Sequence, residues 1–430
     1  MEELVQYLAM QNPWWAGAKP DSGIPRRAYL DKILDYLKNT REIVIIGGVR
    51  RSGKTTLMYQ IILHLIEHES VNPRHILFLS CDNSAIRNLS EPLTTVLDAY
   101  QKLTGTTQDL WLFFDEVQDI PDFPRILKNL YDTGRYHIII SGSTSHILES
   151  QSGTHLTGRY LPVRVYPLSF REYLTFLGTV LPEDGIDLLT KKYELIGHLN
   201  TYLRNGGFPA IVPIVQDGIR RDYLKAYYDS ILYRDIIASH DVRNQSLMQE
   251  LLNYIITNIA VPQTFRSLAQ IFKTDPARIQ DYLSYAEDGY LVYTATKFSF
   301  SYKKQLVAPR KMYLADNGLR SAAGFVFSQD TGRLVENLVC IELLRRGYTP
   351  KYWKETNEID FVVQKSGEPL TLLNVCYTND VPERELKGFA EFVTLHPEVA
   401  VRKILLTEDL SLQLDDDVTA VPLWRWLLKE

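Results

Sequence analysis

A strand-like run that ends in a glycine-rich loop is the feature that most constrains the fold of this chain. The stretch REIVIIGGVRRSGKTTLMYQIILHLI contains Gly48-x-x-x-x-Gly53-Lys54-Thr55 and continues directly into a helix-period pattern. A strand, this loop and a helix in that order predict a P-loop in a parallel α/β sheet. The glycines let backbone N–H groups face phosphate at the helix N-terminus. The sequence therefore predicts a nucleotide-binding domain.

The P-loop residues divide between phosphate and metal. We expect Lys54 to reach the β and γ phosphates and Thr55 to ligate Mg²⁺. The predicted cofactors are therefore ATP and Mg²⁺. The residues predicted to bind the nucleotide are Gly48, Arg51, Ser52, Gly53, Lys54, Thr55 and Thr56.

Hydrolysis additionally needs an acid that positions the metal and a group that orients water, and QDLWLFFDEVQDIPDF supplies both. The apolar run 112–114 predicts a buried parallel strand, and two acids follow at its C-terminal end, where ligands collect in open α/β sheets. We expect Asp115 to hold Mg²⁺ through water and Glu116 to polarise the attacking water.

Seven motifs occur in the order found in prokaryotic AAA-type ATPases with a C-terminal domain of unknown function, and the chain resembles that family over nearly its whole length. TGRY followed by YPLSFREYL, and GGFP, are the most discriminating, because many families share a P-loop. The resemblance implies a RecA-like parallel sheet flanked by helices and followed by a helical lid. The motifs are RRAYLDKIL, GGVRRSGKTTL, FFDEVQDIPDF, ISGSTSHIL, LTGRYLPVRVYPLSFREYL, NGGFPAIV and ILYRDII.

Two further positions acquire roles by comparison with such ATPases. Ser143, after the strand in YHIIISGSTSHIL, stands where a γ-phosphate sensor is found. Arg159 stands immediately before the next strand, where AAA-type ATPases carry the arginine finger that reaches the γ-phosphate of a neighbouring subunit. Alternatively, Arg159 is a surface arginine that closes a turn. The finger interpretation requires a homo-oligomer.

Residues 246–320 predict a winged-helix module, because two helices separated by the turn KTDP precede a β-wing. If the module binds DNA, Arg278 lies near the start of the recognition helix, and the wing offers Lys297, Lys303 and Lys304 as phosphate contacts. The recognition helix is acidic, however, and winged helices also serve as protein interfaces. DNA and protein partners therefore both remain open.

The C-terminal third resembles PD-(D/E)XK nucleases of the restriction-endonuclease type. The resemblance places Glu336 on a helix and Asp360 on a strand, as the first two acids of a metal site. The pattern then breaks, because Asn374 replaces the expected third carboxylate and Cys376 replaces the expected lysine. Losing a metal ligand and a water-orienting cation predicts a degenerate site without nuclease activity. Lys365 and Lys387 offer no evident substitute for the lysine.

Length and composition set the wider limits. A chain of 430 residues predicts several domains, and we expect an α/β fold. Its parts are a RecA/AAA-like ATPase domain (1–170), a helical lid (171–245), the winged-helix module (246–320) and a C-terminal α/β PD-(D/E)XK-like domain (321–430). A net charge of −5 provides no global attraction to nucleic acid. Short apolar runs and three scattered cysteines favour a cytoplasmic protein without membrane contact.

Two functions fit these features. The first is an oligomeric ATPase that binds or remodels DNA through the winged helix and the nuclease-like domain. The second is a nucleotide-controlled switch that binds a protein partner without nucleic acid. Stimulation of ATP turnover by DNA, with steep salt dependence, distinguishes them.

Overall fold

The computed structural model describes residues 2–145, 156–182, 186–322, 331–414 and 417–429. Within it, the chain divides into two compact units, Met1–Val165 and Tyr166–Glu430. The predicted boundary at 170 falls close to this division. The predicted boundaries at 245 and 320 both lie inside the second unit, and they stay predictions.

The first unit is built on a parallel sheet of five strands in the order β2-β3-β4-β1-β5. This arrangement confirms the predicted RecA/AAA-like sheet. Parallel neighbours require crossover connections, which the helices of this unit provide. The strands are β1 Ile43–Gly47, β2 Ile76–Ser80, β3 Leu110–Asp115, β4 Tyr136–Gly142 and β5 Tyr160–Arg164. The helices are α1 Glu2–Gln11, α2 Arg27–Asn39, α3 Lys54–Glu67, α4 Ser84–Arg87, α5 Pro92–Thr104 and α6 Phe123–Asp132.

Alternate residues of the central strands fill two separate cores, one on each face of this sheet. Ile43 and Ile45 of β1 belong to one apolar cluster, whereas Val44 and Ile46 belong to the other. Both faces of the sheet are thus buried, which explains why the strands are continuously apolar in sequence. The two cores hold the strands in place, and the strands in turn position the polar residues that follow them at the C-terminal edge of the sheet.

The N-terminal segment covers the exposed edge of β2. The Asn12 amide donates to the carbonyl of Phe78 at 2.9 Å and its oxygen accepts from the Phe78 N–H at 2.7 Å, as a neighbouring strand would. The indole N–H groups of Trp14 and Trp15 both donate to the carbonyl of Ile76. These hydrogen bonds satisfy backbone groups of an edge strand that could otherwise pair with a strand of another molecule.

The second unit begins with helices across the segment predicted as a lid, and its role as a lid stays a prediction. These are α7 Phe170–Phe176, α8 Ile186–Thr190, α9 Lys192–Asn205 and α10 Asp217–Ser230, continued by a π-helical segment, Ile231–Ala238. Next come α11 Gln245–Thr257, α12 Phe265–Ile271, α13 Pro276–Asp288, β6 Val292–Thr296, α14 Tyr302–Val307 and β7 Arg310–Leu314.

Strands β6 and β7 form an antiparallel hairpin, and Gln263 makes an additional bridge to Arg310. Helix α13 starts with Pro276 in its first turn and the Asp275 side chain accepting from the Arg278 N–H at 2.8 Å. The hairpin connection contains a short helix, α14, where the sequence predicts a simple wing. The element order agrees with the predicted winged helix, but that assignment stays a prediction.

The C-terminal part is a mixed sheet of six strands in the order β12-β13-β11-β10-β9-β8. Strand β9 pairs antiparallel with both β8 and β10, whereas β11 pairs in parallel with both β10 and β13, and β12 pairs antiparallel with β13. The remaining elements are α15 Gly318–Ala322, α16 Thr331–Arg345, β8 Lys351–Lys354, β9 Glu358–Val363, β10 Leu370–Cys376, α17 Arg384–Leu395, β11 Val401–Thr407, β12 Leu412–Gln413, β13 Val418–Pro422 and α18 Leu423–Leu428.

Candidate functional site

The loop between β1 and α3 has the backbone geometry that its glycines predict. Gly48 has φ +154°, and a Cβ there would lie 2.1 Å from the carbonyl oxygen of Val165. Gly53 is left-handed, with φ 97°, directly before α3 begins. Side chains are strained or excluded at both positions, so the loop can approach a ligand through its backbone.

Lys54 and Ser52 provide polar groups inside this loop. The Lys54 ammonium donates to the carbonyl oxygens of Gly48 at 2.9 Å and Val49 at 3.3 Å, and the side chain is buried. The Ser52 hydroxyl is also buried, and among the described residues it has no hydrogen-bond partner. A buried ammonium and an unsatisfied hydroxyl beside a helix N-terminus fit a phosphate group.

Thr55 and Asp115 meet at the C-terminal edge of the sheet. The Thr55 hydroxyl donates to Asp115 Oδ2 at 2.7 Å, and the hydroxyl of Ser141 donates to Asp115 Oδ1. A hydroxyl and a carboxylate are oxygen ligands of the kind that Mg²⁺ prefers. The residues therefore fit a nucleotide-bound Mg²⁺ ion. Sequence analysis did not assign Ser141, although its position after β4 placed it beside the end of β3.

Glu116 is held between Lys54 and the predicted sensor. Its Oε2 accepts from the Ser143 N–H at 3.2 Å and from the Gln118 amide at 2.6 Å, and its Oε1 lies 3.8 Å from Lys54 Nζ. The Glu116 backbone is left-handed, with φ 53°, a costly conformation that is common at functional sites. The structure therefore brings together four predicted residues, Lys54, Asp115, Glu116 and Ser143.

The pKa values of the two neighbouring carboxyl groups are shifted in opposite directions. Burial, reinforced by the charge of Glu116, raises the pKa of Asp115 above its usual range. Burial also opposes ionisation of Glu116, but Lys54, Arg50 and two hydrogen bonds outweigh it and lower the pKa of that carboxyl. Glu116 is therefore ionised at neutral pH, as a group that orients water must be. Arg50, which also contacts the Ser143 hydroxyl at 3.4 Å, was not assigned from sequence.

Arg159 lies far from the P-loop of its own chain. The register pairs Ile43 with Tyr160 and Gly47 with Arg164, so Arg159 marks the N-terminal edge of the sheet. Four strand residues separate the two edges, roughly 13 Å. The Arg159 guanidinium is partly exposed, and its Nε lies 3.6 Å from Asp132 Oδ1. A role within its own site is thus ruled out by distance, and the role toward a neighbouring subunit stays a prediction.

A second polar cluster forms in the other unit, around a lysine that sequence analysis missed. Lys311 of β7 is 1% exposed, and its ammonium lies 2.7 Å from Glu336 Oε1, 2.7 Å from Glu358 Oε1 and 3.5 Å from Asp360 Oδ1. Burial opposes the charge of Lys311, but the three carboxylates outweigh it and raise the pKa of the ammonium. Glu336 and Asp360 both face this ammonium, and their assignment to a vestigial nuclease site stays a prediction.

Asn374 is committed to backbone groups. Its oxygen accepts from the Asp360 N–H at 2.9 Å, and its amide donates to the carbonyl of Glu385 at 2.8 Å. Cys376 is buried at the end of the same strand. Neither Lys365 nor Lys387 joins the cluster: the Lys365 ammonium packs over the ring of Tyr348, and Lys387 pairs with Glu383. The described part of the chain contains no group of three or more His, Cys, Asp or Glu residues suited to a metal ion.

The predicted DNA contacts are spread over the hairpin and α13. Lys303 and Lys304 are exposed on α14, and Arg278 is exposed, with its Nε 3.8 Å from Asp275 Oδ2. Lys297 is less available, because its ammonium lies 3.0 Å from Glu355 Oε1. No helix in the described ranges is long and apolar enough to cross a membrane.

Comparisons with known proteins assign the parts of the chain separately. An AAA domain model matches residues 40–174. Two models for domains of unknown function, DUF8612 and DUF4143, match residues 196–330 and 331–426. The first unit is therefore an AAA-type ATPase domain. The restriction-endonuclease-like interpretation of the C-terminal part gains no support from its match.

Relatives extend over most of the chain. Uncharacterized protein MJ1544 of Methanocaldococcus jannaschii is 31% identical over 409 residues, which cover 90% of this chain and 88% of the relative. An uncharacterized protein of Haemophilus influenzae is 27% identical over 415 residues, covering 94% of this chain and 99% of that protein.

Solved structures are more distant. The Walker-type ATPase PABY2304 of Pyrococcus abyssi is 13% identical, with a TM-score of 0.43, and the match covers 71% of this chain and 97% of that chain. The Aeropyrum pernix ORC1 protein, solved in complex with DNA, is 14% identical, with a TM-score of 0.29, and the match covers 70% of this chain and 93% of that chain. The domain assignment therefore rests on the AAA model and the sheet.

Proposed function

This chain belongs to the family of uncharacterized protein MJ1544 and carries an AAA domain, and we propose that it binds ATP with Mg²⁺ and hydrolyses the terminal phosphate bond. The observation that carries the proposal is the convergence of Lys54, Thr55, Asp115 and Glu116 at one sheet edge. They come from two segments distant in sequence, the start of α3 and the end of β3, so their meeting is a property of the fold.

Each residue has a distinct task in this proposal. The P-loop backbone and Lys54 would hold the β and γ phosphates, and Thr55 and Asp115 would hold Mg²⁺. The metal supplies neutralisation of the charge that develops on the transferred phosphoryl group. Glu116 orients the attacking water and withdraws its proton, while Ser143 and Gln118 fix the Glu116 carboxylate.

Two substitutions test ATP binding and hydrolysis separately. Lys54→Ala is expected to abolish nucleotide binding. Glu116→Gln is expected to retain binding and lower kcat by about 100-fold or more, because a positioned general base contributes about 10² to 10⁴. Glu91→Gln, at an exposed glutamate of the same unit, is the matched control. Equilibrium nucleotide binding and steady-state phosphate release measure the two effects, and native turnover by Glu116→Gln would refute its role.

We further propose that an oligomer of this chain uses ATP hydrolysis to bind or remodel DNA through the helix-turn-helix and hairpin of its second unit. Beside Lys303 and Lys304, a groove of about 440 Å³ is lined by Arg266, Arg310 and apolar side chains of α14. The Arg310 guanidinium packs over the Phe265 ring at 4.7 Å. Cations and apolar surface at one groove suit a phosphate backbone with adjoining bases. The C-terminal domain is, in this proposal, nuclease-like but catalytically degenerate.

The DNA role is tested by measuring ATP turnover with duplex, single-stranded and branched DNA at two salt concentrations. We expect stimulation that falls with salt, because phosphate contacts release counterions. Replacing Lys303 and Lys304 by Glu should weaken this stimulation. The control replaces Lys365 and Lys387 by Glu. It changes the net charge by the same amount, at residues outside the hairpin segment. Turnover that is indifferent to every DNA would favour the protein-binding switch.

A further inference from the structure

The carboxylates of the C-terminal domain surround an ammonium group. Glu336 comes from α16, Glu358 and Asp360 come from β9, and Lys311 comes from β7, before the C-terminal sheet begins. Two of the three carboxylates lie 2.7 Å from the ammonium, within charge-assisted hydrogen-bonding distance. Lys311 therefore lies where the resemblance to restriction-endonuclease-type nucleases places a divalent metal ion.

Protein donors other than Lys311 also bind these carboxylates. Asp360 Oδ2 accepts from the Val375 N–H at 2.9 Å, and Glu358 Oε2 accepts from Lys354 at 2.8 Å. The Tyr313 hydroxyl donates to Glu336 Oε1 at 2.8 Å. A metal ion would have to displace these donors and approach the buried ammonium against charge repulsion. The residues present do not fit a divalent metal.

Lysine side chains compensate most of the carboxylate charge of the cluster without a metal. Lys311 faces the carboxylates of Glu336, Glu358 and Asp360, and Lys354 pairs with Glu358. The Lys311 ammonium also lies over the Tyr352 ring, with its nitrogen 5.7 Å from the ring centroid. A buried charge is tolerated in such a setting because it is paired and hydrogen-bonded.

We propose that the Lys311 ammonium is the resident cation of this carboxylate cluster and replaces the metal ion of a nuclease site. The second unit is then assembled without divalent metal and does not cleave DNA. Lys311 also ties β7 to α16 and β9, because it reaches both from the hairpin. Cys376 occupies the position where a nuclease carries its catalytic lysine. Lys311 does not take over that catalytic role, because it is engaged as the counter-ion of the three carboxylates.

The test counts Mn²⁺ ions bound to the nucleotide-free full chain by electron paramagnetic resonance. The wild type and Asp360→Asn should bind equal numbers. Lys311→Met, which keeps the side-chain length and removes the charge, should gain one Mn²⁺ per chain, and adding Asp360→Asn should abolish the gain. Lys303→Met, at an exposed lysine of the same unit, should leave the count unchanged.

Three results would overturn the proposal. One is loss of a bound Mn²⁺ from the wild type on Asp360→Asn. Another is a folded Lys311→Met chain that gains no Mn²⁺. The third is Mn²⁺-dependent DNA cleavage that Asp360→Asn abolishes. If Lys311→Met does not fold, as judged by circular dichroism, the comparison of wild type with Asp360→Asn still decides. ATP turnover does not enter these measurements, so they stand apart from the ATPase proposal.

Discussion

At the scale of single residues, Asp316 couples the stability of the second unit to pH. It accepts from the Gly207 N–H at 2.6 Å and the Gly318 N–H at 2.8 Å. Burial nevertheless raises its pKa to about 7, against these N–H groups and Arg345. An unfolded Asp has a pKa of about 3.9, so folding favours the protonated form. The resulting stabilisation is full below about pH 4 and is lost as pH rises through about 7.

We therefore expect Asp316→Asn to flatten the pH dependence of the free energy of unfolding. Between pH 4 and pH 8 the wild type should lose more stability than the variant, by a few kcal/mol at most, because one pKa unit corresponds to about 1.4 kcal/mol. Urea denaturation across this range, with the exposed Asp222→Asn as control, measures the difference. Parallel curves for wild type and Asp316→Asn would contradict the assignment.

Residues of the first unit were largely predictable, whereas Lys311 was not. Lys54 and Thr55 lie on one local segment, and the end of β3 had to meet it if the sheet was parallel. Lys311 lies well before its carboxylate partners in sequence. Its role is evident only from its three contacts with carboxylates of α16 and β9. Spacing in sequence carries no information about such contacts. A lysine directly before an apolar run, as in RKMYLAD, was the available signal.

At the scale of elements, the NGGFP motif is explained by close packing between three segments. A Cβ at Gly206, whose φ is +77°, would lie 1.7 Å from Asp316 Oδ1, and one at Gly207 would lie 2.6 Å from the Leu168 carbonyl oxygen. The Leu168 N–H in turn donates to the Gly207 carbonyl at 2.7 Å. The motif thus joins the end of α9 to the segments before α7 and α15. Its role is structural, which a resemblance between sequences could not specify.

We expect Gly207→Ala to lower the free energy of unfolding of the second unit by about 1–3 kcal/mol, because the added methyl group meets backbone and the Tyr202 ring, at 2.8 Å. Gly218→Ala is the matched control: nothing lies within 4 Å of a Cβ there, and alanine favours the helix. Urea denaturation followed by circular dichroism compares the two. Equal stability of Gly207→Ala and Gly218→Ala would show that the segments move apart without cost.

At the scale of the whole molecule, the role of Arg159 in assembly stays a prediction. Its guanidinium lies at the sheet edge opposite the P-loop, so it can complete an ATP site solely on another copy of the chain. A head-to-tail contact, in which one surface of each subunit meets a different surface of the next, would bring the two edges together and form a ring or an open arc. The prediction of a homo-oligomer therefore depends on the prediction for Arg159.

Mixing two inactive variants tests both at once. Arg159→Ala retains the P-loop, and Lys54→Ala retains the arginine, so a mixed assembly contains some sites with both. Random equal mixing should restore roughly a quarter of the wild-type sites if each site uses one neighbour. ATP turnover is measured after energy transfer between subunits labelled separately with donor and acceptor dyes has shown that the subunits exchange. If the two inactive variants show no rescue although exchange is demonstrated, Arg159 closes a turn and pairs with Asp132, and the ATP site is complete within one chain.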